Sequence, residues 1–464
     1  MNRQYRQLTT IIVTLMIAAP IPLLPFPPQF SQDALIMLAI TVVAAVFWIT
    51  ECIPIALTGL VVILLQALFG IQGIGEGLRH IATPVNSIIF AGFTMAAGLS
   101  KYGLDRRLSL NIVAAMGERT DLLTLGIMIA TAFLSMWISN SASAAIMMPI
   151  ALGIVHMVNQ ETGRSNLGKV MMIGIAYAAN IGGMGTPAGT PASSITIGFI
   201  NKLTGFEVTF LFWLLRALPV VILLIPIGCL ILLRMYPPEV KRIEGGTRAV
   251  KEELTALGPM NRSQKKVLVL FVIAVLMWTA DSFLPLIPGW LYIASVLIAL
   301  MFVAPVIGVV TWQETVPQIG WDIFILVGGG LSLGAGLDST GVVQIIADVL
   351  STVLSDASVL VVVTVIAFVT TLSITLFSSL TATSSTFVPV TISLAGFLGL
   401  NPVMFAIVGG MASCCAFMLP ANTPPNAIVY AAGYFKSYDM ARAGIVFSLA
   451  SSVILAVVFN LLWL

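Results

Sequence analysis

Uninterrupted apolar stretches, many of them long enough to cross a bilayer, recur from one end of this chain to the other. That recurrence leaves few folds open. Hydrocarbon offers no water to backbone N–H and C=O groups, so only helices and closed barrels span it. A barrel needs short segments of alternating polarity, and these runs do not alternate. Of the 464 residues 59% are hydrophobic and 9% charged, against roughly 25% charged in soluble domains. The expectation is an all-α polytopic membrane protein, with the lipid bilayer as its first partner. The net charge of +2 comes from basic residues scattered among loops, so no nucleic-acid partner is expected. Cys52, Cys229, Cys414 and Cys415 have neither metal-ligand nor disulfide spacing and read as free thiols.

Two apolar runs, near 122–158 and 358–393, are too long for one span. A straight helix of that length would project about 50 Å at 1.5 Å per residue, against a core of roughly 30 Å. Each run carries a hydroxyl-rich cluster near its middle: "SNSASAAIMMP" from Ser139 and "SLTATSSTFVP" from Ser379. The simpler reading is a helical hairpin that enters and leaves from one side, with the cluster at its tip. Two further spans, 168–204 and 400–433, are broken by "TPAGTPASS" from Thr186 and "PANTPPN" from Pro420. Proline removes a backbone donor and disrupts the helix ladder.

Charge placement orients the chain. With the N-terminus cytoplasmic, eleven spans and two hairpins put Arg3, Arg6, Lys101, Arg106, Arg107, Arg119, Arg164, Lys169, the run from Arg234 to Lys266, Lys436 and Arg442 inside. Only Arg79, Lys202 and Arg216 fall outside or within spans, which is the asymmetry of the positive-inside rule. The C-terminus then lies outside. The apolar run after Arg6 reads as the first span; it is long for a signal peptide, and "PIPLLPFPP" follows it. Residues 235–266 read as a solvated cytoplasmic linker, and "LDRRLSLNIVAAMG" after Gly103 as an amphipathic helix at the inner interface. Glu51, Arg216 and Asp322 read as structural charges rather than solute contacts.

The halves share one order: span, span, hairpin with a hydroxyl tip, broken span, span. Ser141 matches Thr381, Ser143 matches Thr383, and "GTPAS" (Gly189–Ser193) matches "NTPPN" (Asn422–Asn426). An odd number of spans separates the halves, so the repeats are inverted. Inverted repeats with discontinuous helices near the midplane point to a secondary transporter.

At the first tip Ser139, Asn140 and Ser141 sit where a helix restarts, and Ser379 and Thr381 do so at the second. A helix N-terminus presents unpaired N–H groups and the positive end of its dipole, which favours an anion. Two such tips suit an anion with two acidic ends, or a compact anion seated between both. Ser135 and Thr375 lie one turn earlier on the same helical faces, and hydroxyl, amide and free carbonyl oxygens together suit a hard monovalent cation. The broken spans add Gly189, Thr190 and Pro191 on one side and Asn422, Thr423 and Pro424 on the other.

With "FWITECIPIALTGL", "SMWISNSASAAIMMPIA" and "LPANTPPNAIVYAAGY", the chain resembles the divalent anion/sodium symporter family, the dicarboxylate carriers, over nearly its whole length. The resemblance implies a homodimer in which a transport region slides against a scaffold as an elevator. It assigns scaffold to 1–120, the transport region of repeat 1 to 121–208, and scaffold with the linker 235–266 to 209–357. The transport region of repeat 2 is then 358–440, and the last span 441–464. It implies substrate binding by Ser139, Asn140, Ser141, Thr190, Ser379, Leu380, Thr381, Thr423 and Pro424. One sodium ion would lie at Ser135, Ser139, Asn140 and Gly189, another at Thr375, Ser378, Leu380 and Asn422. Three positions depart from the family pattern. Ser141 replaces Thr, Asn422 stands where a small residue is common, and Leu380 replaces the second Asn, removing an amide donor and an oxygen ligand.

The expected function is sodium-coupled secondary transport of a small carboxylate anion such as succinate, malate or fumarate, across a cell membrane (the inner one in a bacterium). A sodium-independent carboxylate exchanger and a carrier of sulfate or another divalent anion are the alternatives. The chain has only two histidines and neither HExxH nor G-x-S-x-G, so an enzyme is not expected.

Overall fold

The computed structural model describes residues 3–158, 165–283, 287–354 and 357–463; Arg164 lies outside them. Helix α1 spans Arg3–Ala18. The first repeat follows with α2 (Gln32–Thr50), α3 (Ile55–Leu68), the short α4 (Ile74–Arg79), α5 (Val85–Lys101), α6 (Leu104–Ala114), a hairpin of α7 (Thr120–Ser135) and α8 (Asn140–His156), a broken helix of α9 (Asn166–Gly183) and α10 (Pro191–Thr204), and α11 (Phe210–Met235). After α12 (Gly246–Ala256), the second repeat has α13 (Arg262–Ala280), α14 (Trp290–Val303), the short α15 (Trp312–Thr315), α16 (Trp321–Ser339), α17 (Val342–Leu354), a hairpin of α18 (Val359–Phe377) and α19 (Leu380–Phe397), a broken helix of α20 (Pro402–Ala412) and α21 (Pro424–Tyr430), and α22 (Ser437–Val458). Among the described residues eight helices are long and apolar enough to cross a membrane by themselves. The fold is an all-α membrane fold with two helical hairpins and two broken helices.

Both over-long runs turn where their hydroxyls lie. Ser139 caps α8 by accepting the Ala142 N–H at 3.3 Å, and Ser379 caps α19 by accepting the Ala382 N–H at 3.3 Å; such caps satisfy donors that a helix start leaves free. The second break opens earlier than its prolines suggest. Helix α20 ends at Ala412, where the Ser413 hydroxyl donates to Gly410 O at 2.8 Å, a local bond that competes with the helix ladder.

Each repeat carries a helix between its third span and its hairpin. Gly103 (φ 63°) and Gly341 (φ 77°) turn the chain from α5 into α6 and from α16 into α17, a left-handed conformation that glycine adopts without strain. Helix α17 had no counterpart in the expected segments. The linker is not merely solvated. Arg106 pairs with Glu253 at 2.5 Å, and Arg107 donates to the carbonyls of Leu257 and Gly258 at 3.0 and 2.8 Å. Arg242 pairs with Glu118 at 2.9 Å, so the linker is strapped to α6 and the entry to α7.

Small residues set the tightest packing, as lipid-embedded helices require. A Cβ on Gly329 would lie 2.2 Å from the Cα of Gly59, so α3 and α16 cross almost backbone to backbone. Elsewhere aromatic rings fill the contacts. Phe210 stacks on Trp278 at 5.1 Å, and Phe417 lies 4.5 Å from Phe447 and 4.9 Å from Tyr177. Helices α11 and α22 pack against each other and against α9 and α18 respectively, alongside the hairpins rather than apart from them. All four cysteines are buried and free.

The three charges read as structural have simple surroundings. Arg216 lays its guanidinium 3.4 Å from the Phe212 ring centroid and donates to Phe212 O at 3.1 Å. Asp322 sits in the first turn of α16, where a carboxylate complements the helix dipole. Glu51 is exposed and ends α2 in the left-handed conformation (φ 47°).

Candidate functional site

The hairpin tips and the breaks meet at one cavity of about 240 Å³. Ser139, Asn140, Ser141, Thr190, Ser379, Thr381, Thr423 and Pro424 all line it, and so do Gly189, Ser378, Leu380 and Asn422. The first turns of α8, α10 and α19 and the start of α21 therefore face one space. Each helix start contributes free N–H groups and roughly half a positive charge. Pro191 and Pro424 begin their helices where a missing N–H costs nothing. Among the described residues no charged side chain lines the cavity. It is smaller than the ~300–1,000 Å³ of drug-sized sites, which suits a compact solute.

Ser135 and Thr375 do not line the cavity, and they differ sharply. Ser135 is fully buried, with its hydroxyl 2.7 Å from Asn140 Oδ1 and 2.6 Å from Ala179 O. A hydroxyl has one proton, so it cannot donate fully to both. A Cβ on Gly189 would lie 2.4 Å from Gly183 O and 2.9 Å from Ser135 O, and one on Gly183 would lie 2.3 Å from Asn140 Oδ1. The first repeat thus brings the Ser135 hydroxyl, the Asn140 amide oxygen and the carbonyls of Ser135, Ala179 and Gly183 close to Gly183 and Gly189, two positions packed too tightly for a side chain. Hard cations take oxygen ligands of this kind.

Thr375 instead points its hydroxyl at the Met418 sulfur, 3.8 Å away. Ser378 turns the chain in the left-handed conformation (φ 46°). Asn422, 1% exposed, accepts the Leu419 N–H at 2.6 Å and donates to Ile374 O at 2.8 Å. Its amide is committed to the backbone of the second break and of α18.

The sequence reading missed two parts of the site. One is an apolar wall of Ile55, Ile89, Phe93, Ile323 and Leu326, from α3, α5 and α16; Ile55 belongs to the "TECIPIALTGL" motif already singled out, which was its one signal. The other is the support behind the tips. Thr186 donates to Met136 O at 2.5 Å, tying the first break to the first hairpin. Asn180, fully buried, donates to Ala416 O and to Asn426 Oδ1, each at 3.0 Å, and so ties the two breaks together.

Comparison with known proteins agrees with this architecture. A transporter of Alcanivorax borkumensis, YdaH, whose crystal structure shows an unusual topology, superposes with a TM-score of 0.55 at 14% identity, over 90% of this chain and 99% of that one. The sodium-dependent dicarboxylate transporter SdcS of Staphylococcus saprophyticus is 31% identical over 98% of this chain and 92% of its own length. The protein of the same name from Staphylococcus aureus strain USA300 is 33% identical over 94% of this chain and 87% of its own. The pattern of the sodium:sulfate symporter transmembrane region matches residues 5–464, and the chain belongs to that family.

Proposed function

We propose that the protein is a secondary active transporter, not an enzyme, that carries a small dicarboxylate anion across a cell membrane together with sodium. The observation that carries this reading is the convergence of both hairpin tips and both breaks on one cavity without a charged side chain. Neutral donors and helix dipoles hold an anion firmly enough to select it and loosely enough to release it, where a bidentate charge pair would hold it too tightly. Ser139, Asn140 and Ser141 bind one carboxylate; Ser379, Thr381 and Thr423 face the other. Sodium sits among the oxygens of Ser135, Asn140 and the first break, where it offsets the solute's charge. The names of the staphylococcal relatives support the solute class and the coupling ion. Transport proceeds by sliding of the hairpins and breaks against α3, α5 and α16 in a homodimer, with the N-terminus cytoplasmic and the C-terminus outside.

Proteoliposome uptake of labelled succinate, malate, fumarate, citrate and sulfate, with and without an inward sodium gradient, tests the reading. Sodium-stimulated uptake of a C4-dicarboxylate is the expected result. The alternative, a sodium-independent exchanger, is favoured by one observation: the apolar side chain of Leu380 in the cavity wall. Uptake that needs internal carboxylate but no sodium gradient would establish it.

A further inference from the structure

We propose that the second cation position of this carrier is filled by the protein's own Asn422 amide, so that the paired sites hold one sodium ion rather than two. The inference rests on the sodium-coupled reading above. It comes from laying the matched positions of the repeats side by side. Asn140 matches Leu380, Gly189 matches Asn422, and by the same spacing Gly183 matches Ala416.

In the first repeat these positions leave lone pairs unsatisfied. The Ser135 hydroxyl offers one proton to two acceptors, and the carbonyls of Ser135 and Gly183 pack so closely on Gly189 that an added Cβ would come within 2.9 and 2.4 Å of them. In the second repeat four of the corresponding features differ. Leu380 brings no oxygen. Ala416 O receives amide hydrogens from Asn180 and from Asn426, each at 3.0 Å. The Thr375 hydroxyl faces sulfur, a soft atom that a hard cation does not favour. Asn422 carries a side chain where Gly189 has none, and gives its N–H to Ile374 O at 2.8 Å, while its oxygen is bonded to the Leu419 N–H. An amide NH₂ carries donors only. It takes up a carbonyl lone pair that a cation could otherwise use and supplies partial positive charge permanently.

The test measures sodium dependence and the ratio of ²²Na to labelled succinate taken up by proteoliposomes, for wild type, Asn422→Ala, and the double variant Leu380→Asn/Asn422→Ala. Fluorescence size-exclusion chromatography confirms folding. Wild type is expected to show a Hill coefficient near 1 and about one sodium per succinate. The double variant, which restores an oxygen ligand and empties the plug, is expected to raise the coefficient by about one. A wild-type ratio of two or more, or a wild-type coefficient near 2 that falls in folded Asn422→Ala, would show that Asn422 helps to hold an ion and would overturn the proposal. Should the double variant fail to fold, the wild-type ratio decides alone. Sodium-independent uptake by wild type would instead sink the sodium-coupled reading itself, so the two failures are told apart by whether sodium stimulates at all.

Discussion

Gly189 and Asn422 hold matched positions in the two broken helices, and they leave opposite surroundings. Around Gly189 the chain keeps oxygens without hydrogens to share; around Asn422 every nearby acceptor with a recorded contact has a donor. The serine caps of the hairpin tips, by contrast, stay alike at 3.3 Å each, although Asn140 at the first tip is Leu380 at the second. Duplication preserved the serine caps and let the oxygens around them diverge. A repeat can therefore share a backbone plan while its ion chemistry differs, because a single side chain decides whether a ring of carbonyls is open or closed.

The largest effect that would break this comparison is at Asn140. Asn140→Ala removes an oxygen from the open cluster and a donor from the cavity, and succinate uptake should fall at least ~100-fold, in line with losing a buried polar partner to a charged group. Leu380→Ala at the matched position should change uptake less than ~5-fold by the same reasoning. Equal losses in the two variants would mean the halves are equivalent after all. Next comes Gly189→Ala, whose Cβ would stand 2.4 Å from Gly183 O. Its apparent sodium affinity should drop ~10-fold or more, an effect of about 1.4 kcal/mol, read from the sodium concentration giving half-maximal uptake. Asn422→Ala should leave that concentration nearly unchanged.

A smaller effect is expected from the supports. Asn180→Ala leaves the buried Asn426 oxygen without its donor and should cost about 1–3 kcal/mol, seen as a lower melting temperature in detergent. Ser413 lies at the matched position, where its hydroxyl bonds Ser384 and Gly410 O within its own repeat. Ser413→Ala should cost less, and the reverse order would mean that the tie between the breaks carries no load. The smallest effect concerns a tie of α5 that has no match recorded at α16. Lys101 hydrogen-bonds Glu314 at 2.7 Å and holds its carboxyl down to about 2. Because that pKa is depressed, the stabilisation is full above the ordinary value near 4.5 and fades as pH falls toward 2. Glu314→Gln should shift melting by less than ~1 °C at neutral pH, as expected of an exposed pair, and should abolish this part of the acid dependence.

The hairpins and breaks were legible in the sequence because polar and proline clusters inside apolar runs conflict with a continuous helix. Ser139, Asn140, Thr190 and Thr423 could thus be named before any coordinates. The wall formed by Phe93, Ile323 and Leu326 could not, since an apolar residue on a membrane helix reads the same whether it faces lipid, protein or a cavity. Asn422 was visible as an oddity, but whether its amide would add an oxygen or a hydrogen to its surroundings depends on side-chain direction, which no spacing encodes. Helix α17 was hidden because it is only 13 residues long, too short for a span, and follows α16 after Thr340 and Gly341 alone.

Among the described residues the cavity is lined by hydroxyls, amides, one indole, backbone and hydrocarbon, and none of these gains or loses a proton near neutrality. Acidifying the medium will therefore alter uptake chiefly by changing how much of the solute is fully ionised. Acids that differ in their own dissociation constants should give activity curves displaced from one another by that difference.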